Sequence, residues 1–495
     1  MPHSLAARAR TRFPFNQWSL RRRAAFYTAA ATLLVGAAAP PVPTAEGIGD
    51  RLFPYLGNPG FHVLAYDIAL DYHGNDKPLD AVTTIRAEAS DWLDHFNLDF
   101  THGMVRSVEV NGAPADFRPV QEDLVVTPAM TLPAHGQFTV RVRHTSDPRG
   151  AGDGGWVTTS DGLVMANQAD AAHRIFPGSD HPSEKARFTF HVTAPKELTV
   201  VANGLAAGHV TKGAETTWTY RTTHPMATEL AQISIGRSVT PRRSGPRGMA
   251  VRDVVPAAEQ QRLEKWTAKT PDQIAWMEKR VGQFPFETYG VLMADASTGF
   301  ELETQTLSLF ERALFTRTDI PDWYLESIMV HELAHQWFGD SVSPRMWSDL
   351  WLNEGHATWY EALYADERGG RKFTDRMRTA YEYSDAMRAD GGPPAMPKGP
   401  APGKKVSIFR PVVYDGSAVV LYALREKIGA AAFESLERQW VAAHRDSTAS
   451  TADFIALASR VAHQDLTAFL HAWLYDPTTP PMPGHPDWKP TKKPA

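Results

Sequence analysis

The segment HELAH, residues 331–335, combines residue types that bind metal ions and move protons. His331 and His335 are four residues apart, so in an α-helix they share one face and can bind one ion together. Glu332 lies one step around the helix and can reach a water molecule on that ion. Imidazole suits zinc, and a catalytic zinc site needs a third protein ligand and one position for water.

Glu354 is the candidate third ligand. It follows His335 by nineteen residues, near the start of a second predicted helix. Two packed helices can bring its carboxylate to the two imidazoles, so we predict one zinc ion held by His331, His335 and Glu354. The alternative for the motif alone is an ordinary buried helix, since H-E-x-x-H also arises by chance in a chain with 19 histidines.

The composition limits the other kinds of chemistry. The chain has 495 residues and no cysteine, which excludes disulfides, thiolate ligands and a cysteine nucleophile. Its formal net charge is -5 and the folded part has no Lys/Arg block, so nucleic acid is not an expected partner. The length of the chain predicts two or three domains, and 43% hydrophobic residues are enough for a large core.

Two kinds of element must position these residues. From about residue 61 to 237, segments that alternate apolar and polar residues are separated by Gly, Pro, Asn and Asp, which predicts an antiparallel β sandwich or saddle. Helical periodicity follows the breaker SGPRG. The predicted helices are 323–338, 353–367, 417–428, 431–443 and 452–474.

The fold class is therefore α+β, with an antiparallel β domain followed by a mainly helical domain. We place the β domain at residues 50–240 and the helical domain at 245–475. Residues 476–495 are rich in Pro and Lys, which predicts a disordered tail.

The strings HELAHQWFGD and WLNEG resemble the gluzincin metallopeptidases of the aminopeptidase N and leukotriene hydrolase family. The pattern of that family is H-E-x-x-H, eighteen residues, then Glu, and this sequence matches it. The resemblance implies an N-terminal β-saddle and a thermolysin-like catalytic domain. Many members also have a helical C-terminal domain, so a short form with a more open cleft is expected here.

The resemblance also implies roles for residues outside the zinc motif. The segment GFELET resembles the substrate-amine motif Gly-Ala-Met-Glu-Asn and aligns Glu303 with its glutamate, while Phe300 and Glu301 replace Gly-Ala. Glu301 is the alternative for this role, because it points the same way as Glu303 in an extended strand. Tyr414, within YDGSA, matches the family tyrosine, and Gln168 matches a second contact to the amine.

These residues together imply a zinc-dependent aminopeptidase, with Glu332 as general base and Tyr414 as a donor to the oxyanion. Glu303 and Gln168 would bind the free α-amino group of a peptide. A zinc endopeptidase, or another small-substrate hydrolase on the same site, is the first alternative. The second is a non-catalytic, zinc-stabilised binding protein, against which Glu332 and Tyr414 argue.

The N-terminus has the pattern of a signal peptide. Six arginines lie within residues 8–23, and a short apolar run and small residues follow. We predict that residues 1–45 are a signal peptide or an uncleaved anchor and that the protein is secreted or resides in the cell envelope. The expected partners are peptides with a free N-terminus. No membrane partner is expected unless the segment stays uncleaved, and a monomer is favoured.

Overall fold

The computed structural model describes residues 44–150 and 154–491. Nearly all of the predicted signal peptide or anchor, residues 1–43, lies outside this range. Within it, no helix combines the length and the apolar character needed to cross a membrane.

Strands dominate the described chain up to Gly236, as the alternating sequence pattern predicts. In chain order they are β1 (Phe61–Asp71), β2 (Leu79–Ala89), β3 (Phe96–Asp99), β4 (Val105–Val110), β5 (Ala113–Pro114), β6 (Asp116–Val120), β7 (Asp123–Thr127), β8 (Gln137–Ser146), β9 (Gly155–Thr158), β10 (Leu163–Ala166), β11 (Lys185–Pro195), β12 (Thr199–Ala202), β13 (Leu205–Lys212), β14 (Glu215–Arg221), β15 (Met226–Ala227) and β16 (Ile233–Gly236).

A nine-stranded sheet forms the base of this β domain, in the order β13-β14-β11-β1-β2-β8-β4-β5, with β15 also paired to β11. The strands β12-β16-β10-β9 form a second sheet, and β3-β7-β6 form a third. One pairing of the large sheet departs from the predicted antiparallel pattern, because β1 and β11 run parallel. After β8 the chain forms β9 and β10 outside the large sheet. It then returns as β11 beside β1 and runs in the same direction as β1.

The remainder of the described chain is mainly helical. Its helices are α1 (Gln260–Thr267), α2 (Thr270–Val281), α3 (Arg312–Phe315), α4 (Asp322–Ala334), α5 (Trp351–Glu367), α6 (Phe373–Gly391), α7 (Asp415–Ile428), α8 (Ala430–Ala443), α9 (Thr451–Val461) and α10 (Thr467–Tyr475). Its short strands are β17 (Ser238–Val239), β18 (Arg242–Ser244), β19 (Ala250–Arg252), β20 (Val255–Pro256), β21 (Thr288–Tyr289), β22 (Val291–Ala294), β23 (Ser308–Glu311), β24 (Val342–Pro344) and β25 (Ser447–Ala449).

Two differences from the predicted helices have physical causes. The predicted helix 452–474 is broken into α9 and α10, because His463 adopts a left-handed conformation with φ of 51°. Helix α6 was not predicted. Its buried face repeats at helical spacing but includes Ser384 and Arg388 beside apolar residues such as Phe373 and Met377, so its hydrophobic periodicity is weak.

The β domain and the helical part share contacts that support the site. Leu302 and Leu309 are buried in the same hydrophobic core as the large sheet. Lys185, at the start of β11, donates to the carbonyl oxygens of Asp340 (2.7 Å) and Ser341 (2.9 Å), just beyond α4. These contacts hold the segment that carries Glu303, and the end of the histidine helix, against the β domain.

The prediction of a disordered tail is wrong for residues 479–488, which pack against the helices. The backbone N–H of Thr479 donates to the carboxylate of Asp385 at 2.7 Å. Trp488 is buried and stacks on Tyr422, with 5.7 Å between ring centroids. The Pro-rich composition hides this packing, because Met482 and Trp488 are the only large apolar side chains within residues 476–495 of the sequence.

We expect Trp488→Ala to lower the free energy of unfolding by about 3 kcal/mol or more, since it empties a buried aromatic site. Denaturant unfolding measures the change. The matched control is Trp92→Ala, because Trp92 is 67% exposed and its loss should cost at most about 0.5 kcal/mol. Equal effects of the two substitutions would contradict the docking of the tail.

Candidate active site

Helix α4 and the residue that follows it carry the two histidines. His335 keeps helical dihedral angles (φ −58°, ψ −26°), so it shares a face with His331, and their ring centroids are 4.9 Å apart. The Nδ1 of His335 lies 3.1 Å from the carbonyl oxygen of Phe338, which can only accept a hydrogen bond. In the neutral imidazole the proton is therefore on Nδ1, which leaves the lone pair of Nε2 available to a metal ion.

Glu354 lies in the first turn of α5, where its side chain is buried. One carboxylate oxygen is 3.3 Å from Nε2 of His331 and 3.4 Å from Nε2 of His335. Burial alone would raise the pKa of Glu354, but the two histidines outweigh it and hold the pKa at about 2. The three predicted metal ligands therefore meet at one point.

The spacing of these three atoms fits a zinc ion. Zinc binds imidazole nitrogen and carboxylate oxygen at about 2.0–2.2 Å, which places two tetrahedral ligands roughly 3.4 Å apart. The two nitrogen–oxygen distances match that value, and all three atoms lie within 4.8 Å of one another. The donor set of two imidazoles and one carboxylate is also one that zinc uses at catalytic sites.

A carboxylate–arginine pair that the sequence interpretation missed supports His331. Glu361 accepts a hydrogen bond from Nδ1 of His331 (3.1 Å) and two from Arg376 (2.7 and 3.3 Å). Burial alone would raise the pKa of Glu361, but Arg376 and His331 outweigh this effect and hold the pKa at about 2. Glu361 follows Glu354 by seven residues, two helical turns, and this spacing could have revealed it.

Arg376 also connects this pair to the next helix. Its Nε donates to the carboxylate of Asp415 at 3.2 Å, and Asp415 is the first residue of α7. Tyr414 immediately precedes that helix. The guanidinium thus joins the partner of a predicted metal ligand to the residue beside Tyr414.

Tyr414 reaches the site from the start of α7. Its ring centroid is 6.1 Å from that of His331. Burial and the nearby carboxylates, Glu354 first among them, raise the pKa of Tyr414 well above its ordinary value, so the hydroxyl keeps its proton. Gly355 permits the approach of α7, because a Cβ there would lie 2.8 Å from the Cβ of Ser417.

Glu332 is buried beside the predicted metal ligands. Its carboxylate lies within 4.8 Å of ligand atoms of Glu303 and His335. Burial raises the pKa of Glu332, and the two histidines lower it. The nearby carboxylate of Glu303 raises the pKa again, to about 8 in total. A carboxylate with this pKa can accept and return a proton near neutral pH.

Glu303 and Gln168 meet at the inner end of the site. The side-chain amide of Gln168 donates to the carboxylate of Glu303 at 2.6 Å. Gln336, next to His335, donates to the backbone carbonyl of Glu303 at 2.8 Å and fixes its position. Gln168 also forms a hydrogen bond with Glu229. Burial and the charge of Glu303 raise the pKa of Glu229 well above its ordinary value.

Glu301 occupies a different position from Glu303. Its carboxylate accepts the backbone N–H of Glu311 at 2.7 Å. Of the two glutamates, only Glu303 joins a possible ligand group with Glu332 and His335.

One cavity of about 340 Å³ brings these side chains together; it is lined by Gln168, Phe300, Glu301, Glu303, Tyr324, Ile328, His331, Glu332, His335, Glu354, Thr358, Glu361, Arg376 and Tyr414. Every predicted site residue is in this set. His356, which lies two residues after Glu354, is outside this set. Its ring stacks on Phe338 with 4.2 Å between centroids, and its Nε2 is 3.1 Å from Glu437.

The chain is a zinc metallopeptidase by its fold, a β domain followed by a helical part, and by its His-His-Glu cluster. The chain belongs to peptidase family M1: the Peptidase M1 N-terminal domain matches residues 63–230, and the Peptidase family M1 domain matches residues 269–473.

Named relatives and solved structures agree with this family. Aminopeptidase N of Streptomyces lividans is 24% identical over 83% of this chain and 50% of its own length. Tricorn protease-interacting factor F2 of Thermoplasma acidophilum is 23% identical, over 86% of this chain and 54% of its own. The chain thus spans about half the length of these curated relatives.

An M1 zinc metallopeptidase from Deinococcus radiodurans has a similar structure, with a TM-score of 0.75 and 25% identity. The match covers 91% of this chain and 100% of that one. A variant of the Deinococcus enzyme, bound to a Tyr-Ser-Ala substrate, matches with the same TM-score over 88% of this chain.

We expect Glu361→Gln to weaken zinc binding by about 10- to 100-fold, because it removes the negative charge that orients His331 and makes its Nε2 a better ligand. Competition with a zinc chelator measures the affinity. The matched control, Glu367→Gln on the same helix, alters a side chain that is 50% exposed and should leave the affinity unchanged. An unchanged affinity in Glu361→Gln would show that this contact does not support the metal ligand.

Proposed function

We propose that this protein is a zinc aminopeptidase that removes the first residue of peptides. The observation that carries the proposal is the Gln168–Glu303 pair, placed beside Glu332 and His335 at the inner end of the cavity. A buried carboxylate at that position offers an ionic partner for the free α-amino group of a peptide. The printed names of several relatives, including aminopeptidase N, agree with this activity.

One zinc ion would be held by His331, His335 and Glu354. When bound, it would supply an activated water molecule and polarise the scissile carbonyl. His331 and His335 can each present an unprotonated Nε2, because each Nδ1 lies beside an acceptor, the carboxylate of Glu361 and the carbonyl of Phe338 respectively.

Glu332 moves the proton in the proposed mechanism. Its carboxylate takes the proton of the attacking water and gives it to the nitrogen of the leaving peptide. Burial raises the pKa of Glu332 above its ordinary value, which favours uptake of the proton.

Tyr414 donates a hydrogen bond to the oxygen that becomes negative when the carbonyl is attacked. Its raised pKa keeps the proton on the hydroxyl, so it acts as a donor throughout. Donors of this kind contribute about 3–4 kcal/mol to transition-state stabilisation.

Glu303 and Gln168 bind the substrate's ammonium group and so fix its first peptide bond beside Glu332. This positioning makes the enzyme an exopeptidase. An endopeptidase on the same site remains the alternative, and a peptide with an acetylated N-terminus distinguishes the two because it lacks the ammonium group.

We also propose export to the cell envelope or the medium, supported by the arginines and the apolar run within residues 1–45. Peptides with a free N-terminus are the proposed partners, and a monomer is the proposed state. Mass analysis of the protein isolated from its source would test both export and cleavage of this segment.

We expect Glu332→Gln to lower kcat on aminoacyl fluorogenic amides by at least 10²-fold while zinc stays bound, because only the proton acceptor is lost. Chelator should abolish wild-type turnover, and an N-acetyl block should prevent it. Normal turnover by Glu332→Gln, or equal cleavage of the acetylated substrate, would contradict the proposal.

Tyr414→Phe should lower kcat by about 10²- to 10³-fold with little change in KM, since the hydrogen bond forms mainly in the transition state. The matched control is Tyr422→Phe on the same helix, whose hydroxyl contacts His485 outside the cavity. Comparable kcat values for the two variants would remove Tyr414 from the mechanism.

A further inference from the structure

The active-site cavity contains one carboxylate without a positive partner. Its acidic lining residues are Glu301, Glu303, Glu332, Glu354 and Glu361. Glu361 pairs with Arg376. A zinc ion and a substrate ammonium group would together balance the charges of Glu303, Glu332 and Glu354. Glu301 alone is left over, and no described lysine, arginine or histidine forms an ion pair with it.

The backbone places Glu301 at a defined distance from the amine-binding Glu303. Leu302 forms an antiparallel bridge with Leu309, so the segment around it is extended. Glu301 and Glu303 therefore face the same side, about 7 Å apart along the backbone. A peptide in the extended form advances about 3.4 Å per residue, so a point about 7 Å from its amino group lies where the second residue ends and the third begins.

The cavity also fixes the direction in which the peptide runs. Beyond Glu303, Thr304 and Thr306 are fully buried, which closes that end. In the other direction, Phe300 is 48% exposed and Tyr324 is 41% exposed, which opens the cavity to solvent. A peptide held at its amino group must therefore leave past Glu301.

Side chains with apolar surface line the same cavity as Glu301. Tyr324 and Ile328 lie one turn apart on α4, and Phe300 precedes Glu301 in the chain. An apolar wall that ends at a carboxylate suits a long side chain with an aliphatic stem and a cationic end. An aromatic ring near a cation adds a further attraction.

We propose that Glu301, with Phe300, Tyr324 and Ile328, forms a subsite that selects lysine or arginine as the second residue of the substrate. The aliphatic stem packs on the apolar side chains and the cation pairs with the carboxylate. This inference rests on the proposed aminopeptidase function, because it takes the substrate's amino group to be held at Glu303.

Two features of the Glu301 carboxylate suit a cationic side chain of the substrate. The side chain of Glu301 is partly buried, and a carboxylate removed from water is costly unless a cation pairs with it. The N–H of Glu311 binds one oxygen and fixes the side chain, while the other oxygen has no hydrogen-bond donor among the described residues.

Binding to the Glu332→Gln protein tests the proposal without turnover. Titration calorimetry compares Leu-Lys-Ala with Leu-Nle-Ala, where norleucine keeps the stem and lacks the cation, and with Leu-Glu-Ala. We expect Leu-Lys-Ala to bind at least 10-fold more tightly than Leu-Nle-Ala, and Leu-Glu-Ala to bind more weakly than both. Adding Glu301→Gln should reduce the preference for lysine to below 2-fold.

Two controls make the result specific. Glu434→Gln, a substitution on α8 outside the cavity, should keep the full preference for lysine. The peptide Leu-Ala-Lys should bind like Leu-Ala-Ala; a preference for the cation at the third residue would overturn the assignment of the second. Equal binding of Leu-Lys-Ala and Leu-Nle-Ala would overturn the subsite itself.

Turnover by the wild-type enzyme distinguishes failure of the subsite from failure of the proposed function. If peptides with a free amino group are cleaved but lysine at the second residue gives the same kcat/KM as norleucine, this inference fails and the proposed function stands. If no free-amine peptide is cleaved or bound, the proposed function fails, and the subsite fails with it.

Discussion

The contact of Glu354 with His331 and His335 is the interaction on which the arrangement of the site depends. It joins α4 to α5 at a point where the two imidazoles and the carboxylate have little contact with water. A buried carboxylate is costly unless positive or hydrogen-bonding partners surround it. That requirement explains why the neighbouring helices direct their polar residues to the same point.

Arg376 extends this arrangement to a third and a fourth helix. From α6 it neutralises Glu361 on α5 and reaches Asp415 at the start of α7. Because Glu361 contacts His331 and Asp415 follows Tyr414, one guanidinium links the metal-binding side of the cavity with the tyrosine. The β domain completes the cavity by supplying Gln168, which meets Glu303 from the opposite side.

The cluster of candidate metal ligands could be predicted from the sequence because the spacing of these residues follows the geometry of a helix. His331, Glu332 and His335 lie in one short segment, and Glu354 lies at the start of the next predicted helix. Glu361 and Arg376 could not be found in this way. Their roles depend on which helices touch, and α6 has a buried face that includes polar residues. The docked tail was missed for a related reason, since tertiary packing of Trp488 overrides a Pro-rich composition.

The proposed chemistry requires one zinc ion held by His331, His335 and Glu354. Crystals of the zinc-loaded protein, with diffraction recorded on both sides of the zinc absorption edge, would test it most directly. We expect a single strong anomalous peak within about 2.0–2.2 Å of Nε2 of both histidines and a carboxylate oxygen of Glu354. A peak at another position, or none between these residues in crystals that contain stoichiometric zinc, would contradict it.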